Sequence, residues 1–283
     1  MTQRALNAAD RGAGPYLWRF SPLNRALHAA MIVSFFGLVI TGLPLKFAYA
    51  PWARVLVRLV GGLQVAGYIH RLCAIITFGY FGAHLVSLAW RAITSPQRKR
   101  LFWGPDSMVP QLKDLQDIVQ QFKWFFGKGP RPRFERYSYM EKFDYWAVFW
   151  GVAIIGGSGL LLWFPEFFAK LLPGWAFNVA TIIHSDEALL ATAFIFTIHF
   201  FNVHLRPEKF PIDNVIFTGR ATTEYMQEEH PLEYERVSRD GQLQGRIAPP
   251  TSRVATLWSM WLGFTALGVG IVLIILVVWA LLH

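Results

Sequence analysis

Two apolar, helix-length segments of this chain each carry two histidines separated by a near-whole number of helical turns. His70 and His84 are 14 residues apart, and His184 and His199 are 15 residues apart. At about 100° per residue, the second imidazole returns to within about 40° or 60° of the first, roughly 21–22 Å further along the axis. Two such helices side by side predict two sites for flat metal macrocycles, each held by one imidazole from each helix.

Five apolar segments approach or exceed the length of about 20 residues that a helix needs to cross the hydrocarbon core of a bilayer. We therefore predict an all-α polytopic membrane protein, with a four-helix haem-binding bundle and a fifth, C-terminal transmembrane helix. Residues 1–24 lack the apolar core and cleavage site of a signal peptide. The predicted spans are 26–48, 67–90, 143–164, 180–205 and 254–282.

The distribution of Lys and Arg predicts the orientation of the chain, because short loops rich in these residues stay on the cytoplasmic side. The predicted outer loops 49–66 and 165–179 carry only Arg54, Arg58 and Lys170. We expect a bacterial inner-membrane protein with its N-terminus in the cytoplasm and its C-terminus in the periplasm. The net charge of +9 fits contact with anionic headgroups, and no folded basic module suggests nucleic-acid binding.

The predicted organisation follows from these spans. It consists of an N-terminal cytoplasmic tail (1–25), a four-helix di-haem domain (26–205), an extended cytoplasmic segment (206–253) and the fifth span (254–283). Within the second cytoplasmic loop, apolar residues at helical spacing predict an amphipathic helix on the membrane surface over residues 107–127.

The predicted orientation also sets the depth of each histidine. Spans two and four both run from outside to inside, so His70 matches His184 near the outer face and His84 matches His199 towards the inner face. Haem iron accepts two axial imidazoles, one from each side of the ring. The single cysteine, Cys73, excludes the C-x-x-C-H attachment of c-type haem, so we expect two non-covalent b haems.

Two further histidines lie at the cytoplasmic ends of spans one and four. His204 is rotated about 140° from His199 and so faces away from the predicted haem side. Three roles stay open for His28 and His204: ligands of a third haem, contacts to a quinone headgroup, or ordinary interfacial side chains.

A resemblance to a known family rests on short motifs in a fixed order. They are Arg25-Ala-Leu-His28, Phe35-Phe36, Thr41-Gly42, Ile69-His70, Trp163-x-Pro165 and Ile183-His184. Over residues 19–206 the chain resembles the membrane cytochrome b subunit of respiratory formate dehydrogenases (the gamma subunit) and of nickel-iron hydrogenases. The resemblance implies two b haems that carry electrons between a periplasmic partner and a quinone near the cytoplasmic face. It also implies that His70 and His184 bind the outer haem.

The inner haem is the point at which this chain departs from that family. The family binds this haem from spans one and four, which corresponds to His28 with His199, and it normally lacks a counterpart of His84. Depth favours His84 with His199 as the inner pair, and the His28 pairing stays open. The fifth span is also additional to the family's four-helix core.

The predicted cytoplasmic layer offers polar side chains for a quinone that exchanges electrons and protons. Glu141 is the candidate proton carrier. The family has an Asn and Gln pair before span three, where this chain has Ser138 and Glu141. The other candidates for contacts to the quinone or to haem propionates are Asn24, Arg25, Ser138, Lys142 and Asn202.

The sequence thus predicts an electron-transfer subunit of a quinone-linked oxidoreductase complex. The substrate would be ubiquinone or menaquinone, and the partner an iron–sulfur or multihaem c-type cytochrome subunit on the periplasmic side. The rival hypotheses are a haem-free membrane anchor of a redox complex and a proton transporter with a histidine relay. No hydrolytic or phosphate-binding motif occurs in the sequence.

Overall fold

The computed structural model describes residues 15–96, 98–210 and 212–283. The first 14 residues of the predicted N-terminal tail lie outside the described residues. Among the described residues, the long helices are α1 (Pro22–Lys46), α3 (Leu63–Thr94), α6 (Tyr139–Trp163), α8 (Trp175–Leu205) and α12 (Arg253–Leu282).

Shorter elements connect these helices. They are β1 (Tyr16–Trp18), α2 (Pro51–Val60), α4 (Lys99–Phe102), α5 (Leu112–Phe125), α7 (Pro165–Phe168), α9 (Val215–Thr218), β2 (Arg220–Thr222), α10 (Thr223–Glu229), α11 (Pro231–Arg239) and β3 (Ile247–Ala248).

The five long helices are each apolar and long enough to span a bilayer, which confirms the prediction of an all-α polytopic membrane protein. They begin one to five residues before the predicted spans. α1, for example, begins at Pro22, and proline is well tolerated in a first turn, where its missing N–H has no helical acceptor.

Two of the long helices contain π-helical turns. α6 has one at Val152–Gly156, and α8 has two, at Ile195–His199 and Phe201–Leu205. A π turn holds more residues than an α turn. The angular position of His199 around the axis of α8 therefore differs from the one that a regular α-helix predicts.

The chain divides into two compact units, and the first is here called the bundle unit. It comprises Ala26–His84, Val148–Asp213 and Met260–His283. The main cluster of buried apolar side chains in this unit includes residues of α1, α2, α8 and α12, so the fifth span packs into its core. A Cβ on Gly270 of α12 would lie 2.8 Å from the rings of both Phe196 and Phe200, so the absence of a side chain there permits the close approach.

The second unit, here called the polar unit, comprises the described residues up to Arg25, together with Leu85–Ala147 and Asn214–Ser259. It contains a three-stranded antiparallel sheet of order β2-β1-β3. Leu17 of β1 pairs with Ala221 of β2 and Ile247 of β3. Leu17 and Ala221 are buried with Val215 and Met226 in a small apolar cluster.

The structure differs from the sequence prediction in two segments. Residues 206–253, expected to be extended, contain α9, α10, α11, β2 and β3. The prolines there suggested an irregular chain, but Pro231 occupies the first turn of α11, where proline favours the helix. The predicted helix over 107–127 is also shorter, since α5 begins at Leu112 after a Gln111–Asp114 capping box.

Candidate functional site

His70 and His184 face each other within the bundle unit. Their ring centres are 6.2 Å apart, and the ring planes cross at 66°. His70 lies in the second turn of α3, and His184 lies on α8. The structure therefore brings together the two histidines that the sequence predicts as the outer pair.

Each of these imidazoles is held through its Nδ1 atom. The Thr41 hydroxyl donates to the carbonyl oxygen of Gly37 at 2.6 Å, so its oxygen accepts from His70 Nδ1, 2.9 Å away. His184 Nδ1 donates to the carbonyl oxygen of Ile155 at 2.9 Å. When Nδ1 carries the proton, Nε2 keeps its lone pair, which is the arrangement that metal-binding histidines use.

Two glycines provide the space for these rings. A Cβ on Gly42 would lie 3.3 Å from Cε1 of His70. A Cβ on Gly159 would lie 2.9 Å from Cε1 and 3.2 Å from Nδ1 of His184, closer than real Cβ contacts allow. Gly159 belongs to the glycine-rich run of span three, and it leaves room there for the ring of His184.

The geometry fits a bis-histidine haem site. With metal–imidazole bonds of about 2 Å, the centres of two rings on opposite sides of one iron lie roughly 6 Å apart. The observed separation is 6.2 Å. In both rings Nδ1 is hydrogen-bonded to the protein, so Nε2 of each would serve as the ligand of a haem iron.

The histidines predicted for the inner site lie in the same unit. His28 of α1 and His199 of α8 are close enough to interact electrostatically. His84 of α3 meets the ring of Phe149 edge-on, with ring centres 6.1 Å apart. The His84–His199 pairing stays a prediction, and so does the His28–His199 pairing.

Comparison with family models matches residues 19–207 to the prokaryotic cytochrome b561 family. The chain belongs to this family. The assignment confirms the predicted resemblance and shows that the chain is a membrane b-type cytochrome that binds haem and transfers electrons. A search of the curated proteins found no match.

His204 occupies a packing position in this cytochrome. It is 4% exposed, and its ring centre is 5.0 Å from that of Phe200. A Cβ on Gly263 of α12 would lie 3.2 Å from its Cε1. These contacts support a packing role for His204 against the fifth span, and a role as haem ligand stays a prediction.

The candidate residues for the quinone layer mostly make structural contacts. Glu141 Oε2 accepts from the backbone N–H and the hydroxyl of Ser138, at 2.7 and 2.8 Å, as a capping box does. Lys142 Nζ donates to both carboxylate oxygens of Asp114 at 2.9 Å. Arg25 Nε donates to the carbonyl oxygen of Phe217 at 2.7 Å.

Asn24 and Asn202 belong to different units. The backbone N–H of Asn24 donates to the Ser21 hydroxyl at 3.2 Å, and Asn24 itself is exposed. Asn202 is half-buried within the second π turn of α8. Their roles towards a quinone or a haem propionate stay predictions.

The polar unit also contains a buried ionic network that the sequence did not reveal. The Glu233 carboxylate is fully buried and accepts from Arg19, Arg136 and Arg246 at 2.7 to 2.8 Å. Arg19 also donates to His230 Nε2 at 2.9 Å, and His230 Nδ1 donates to the carbonyl oxygen of Glu135 at 2.8 Å. Arg19 and Glu233 are 214 residues apart in the chain, so no local pattern could join them.

The network shifts the pKa of its titratable members. Burial opposes ionisation of Glu233, but the neighbouring arginines outweigh it and lower the pKa from 4.5 to about 2. Burial, reinforced by the positive charge of Arg19, lowers the pKa of His230 from its usual 6.5. Glu233 therefore stays ionised and His230 stays neutral at physiological pH.

Proposed function

We propose that this cytochrome transfers electrons across the bacterial inner membrane, between a quinone pool and a redox subunit on the periplasmic side. Family membership supports electron transfer by a b-type cytochrome. The observation that carries the proposal is the pair of facing imidazoles, His70 and His184, with both Nδ1 atoms hydrogen-bonded to the protein.

In the proposed outer site, His70 and His184 bind the iron of one b haem through Nε2. When bound, the haem would supply a one-electron redox centre. Thr41 and the carbonyl of Ile155 fix the two tautomers and the ring orientations. The hydrogen bonds to Nδ1 raise the basicity of each ligand and so favour the ferric state.

In the proposed inner site, His199 binds a second haem with a partner from α1 or α3. The electrostatic contact between His28 and His199 supports His28, which also agrees with the family pattern. The alternative is His84, whose predicted depth in the membrane matches that of His199. Haem counting in His28→Ala and His84→Ala distinguishes the two pairings, because the haem content falls by one only when a histidine that binds the haem is replaced.

We propose that the quinone binds in the layer that the charge distribution predicts as cytoplasmic, with Glu141 as the proton carrier. Glu141 is one-third exposed at its side chain and lies 3.5 Å from Arg19, so it can exchange protons with water while a cation holds it in place. Glu141→Gln keeps an oxygen that can cap Ser138, but it removes the titratable proton. Quinol-dependent haem reduction should then lose its pH dependence while the protein stays folded.

The proposed partner docks on the periplasmic side and carries iron–sulfur clusters or c-type haems. The orientation rests on the excess of Lys and Arg in the loops on the other side. Purification of the tagged protein from membranes, followed by identification of the subunits that remain bound, tests this proposal.

Optical spectra, haem counting and quinol reduction of the purified full-length protein test the proposed function directly. We expect a b-type α band after dithionite, two haems by pyridine haemochrome, and reduction of both by a quinol. A protein with two haems that no quinol reduces would contradict the quinone proposal, and a haem-free protein would support the anchor or transporter hypothesis instead.

A further inference from the structure

Helix α5 has its polar face turned inwards and its apolar face turned outwards. Asp114, Asp117 and Gln121 are only 8 to 9% exposed. Five apolar residues on the other side, here called the apolar stripe, are 54 to 74% exposed. At about 100° per residue, the centres of the two faces lie roughly 150° apart around the helix. The apolar stripe consists of Leu112, Leu115, Val119, Phe122 and Phe126.

The inward polar face is fixed by hydrogen-bonded ion pairs. Lys142 donates to both oxygens of Asp114 at 2.9 Å, and Lys113 donates to both oxygens of Asp117 at 2.6 and 2.7 Å. Rotation of α5 to bury the stripe would separate Asp114 from Lys142, and Lys113 from the carbonyl oxygen of Arg133, to which it donates at 2.9 Å. The apolar stripe is therefore a stable outward surface, and such a surface needs an apolar environment.

The contacts of α5 place it beside the first turns of a membrane-spanning helix. Lys142 and Trp146 belong to the first two turns of α6. Trp146 Nε1 donates to the carbonyl oxygen of Met108, four residues before α5, at 3.0 Å. Trp146 and Phe143 are themselves exposed apolar residues of that span. Helix α5 therefore lies next to the segment of α6 that enters the lipid.

The charge at the C-terminal end of α5 fits an anionic surface. Lys123 and Lys128 are exposed, and the structure gives neither side chain an ion-pair partner within residues 98–210. Each basic residue close to an anionic leaflet contributes a favourable interaction. Aromatic residues flank them at Trp124 and Phe125, which suits the headgroup boundary.

We propose that the apolar stripe of α5 lies in the boundary between headgroups and acyl chains, and that Lys123 and Lys128 bind anionic phospholipid headgroups there. The proposal does not depend on haem or quinone binding. Contact with lipid covers the stripe, and the Asp114–Lys142 ion pair joins the lipid-bound helix to the start of α6.

Site-directed spin labelling of the full-length protein in vesicles tests this proposal. One label is attached at Val119→Cys, in the stripe, and the matched control label at Gln116→Cys, which is exposed on a different face of α5. Cys73 is replaced by alanine in both. In phosphatidylcholine vesicles with phosphatidylglycerol, we expect the label at 119 to collide more with oxygen than with a water-soluble nickel chelate. The expected depth is about 5–10 Å below the headgroups, and the label at 116 should report water.

The anionic-lipid part of the proposal has its own test. The charge reversals Lys123→Glu and Lys128→Glu together should reduce the depth of the label at 119 in vesicles that contain phosphatidylglycerol, and should matter less in pure phosphatidylcholine. Equal effects in both lipids would overturn headgroup binding.

Two results would overturn the lipid assignment itself. A label at 119 that is as accessible to the nickel chelate as the label at 116 would show a stripe in water. Spin–spin broadening at 119 that disappears on dilution with unlabelled protein would show that a second copy of the chain covers the stripe.

Discussion

The bundle unit and the polar unit satisfy their buried polar groups in different ways. In the bundle unit, hydroxyl groups donate to carbonyls of their own helix, as Thr41 does to Gly37 and Thr192 does to Ala188. In the polar unit, buried charges meet across large sequence separations, as Arg19 and Glu233 do. Bonds within one helix thus satisfy these hydroxyl groups of the bundle unit, whereas in the polar unit paired charges join segments that are distant in the sequence.

The largest expected effect is the loss of the charge at the centre of the ionic network. Glu233→Ala leaves three arginines around a buried position. We expect it to lower the free energy of unfolding of the full-length protein by about 3–5 kcal/mol, since breaking a buried ion pair strands the remaining charge. Denaturant unfolding in detergent, followed by tryptophan fluorescence, measures this change.

Glu235→Ala is the matched control on the same helix. Glu235 pairs with Arg133, but both side chains are more than half exposed, so its removal should cost about 0–1 kcal/mol. Equal losses from Glu233→Ala and Glu235→Ala would show that burial does not distinguish the two pairs.

The second prediction concerns the space beside His184. Gly159→Ala adds a Cβ at 2.9 Å from Cε1 of His184, so the ring must shift. Such overpacking typically costs about 1–3 kcal/mol. We expect weaker haem binding, measured by haem content after purification and by the low-spin signal in electron paramagnetic resonance.

Gly157→Ala serves as the control, because a Cβ at Gly157 meets nothing within 4 Å. Gly157 lies two residues before Gly159 in α6, and its replacement by alanine raises helix propensity just as Gly159→Ala does. If both variants lose haem equally, the contact with His184 is not the cause.

The third prediction sharpens the role of Thr41. Thr41→Val removes the hydroxyl that accepts from His70 Nδ1 but keeps the shape of the side chain. Loss of such a supporting bond typically weakens metal binding about 10- to 100-fold. We expect the midpoint potential of one haem to rise while the other stays unchanged, as measured by redox titration. Thr192→Val, which removes a hydroxyl that donates to the carbonyl oxygen of Ala188 in its own helix, should move neither potential.

The facing histidines also show how far the sequence could predict the site. The spacing and depth of His70 and His184 were visible as a pattern along apolar helices, and their facing arrangement agrees with it. The hydrogen bonds of His70 to Thr41 and of His184 to Ile155 could not be predicted, because they depend on how four helices pack. The π turns of α8 also change the phase of His199, which regular helical geometry cannot anticipate.

The polar unit was the harder part to predict. Prolines interrupt the helical spacing of apolar residues over 206–253, so the sequence predicts an extended segment. The short helices there depend on contacts with β1 and with residues 130–141. The five spans, in contrast, were recognisable from length and hydropathy alone, since lipid imposes a minimum apolar length on each.

The smallest expected effect is the pH dependence that His230 gives to the stability of the protein. Its folded pKa lies below the unfolded value of 6.5, so the unfolded state binds a proton first as the pH falls below about 6.5, and stability decreases. Glu233 adds a further loss of stability between pH 4.5 and about 2, because in this range its carboxylate is protonated in the unfolded state but stays ionised in the folded state. His230→Gln should flatten the decrease just below pH 6.5 and leave the loss at lower pH. An unchanged profile would contradict the assignment to His230.

The most direct measurement is the haem content of the purified full-length protein with and without His184. We expect the wild-type protein to show a b-type spectrum with low-spin ferric haem. We expect His184→Ala to lose one haem, while the other keeps its spectrum and midpoint potential. A His184→Ala protein with the haem content and low-spin signals of the wild type would contradict the central claim that His70 and His184 hold one haem between them.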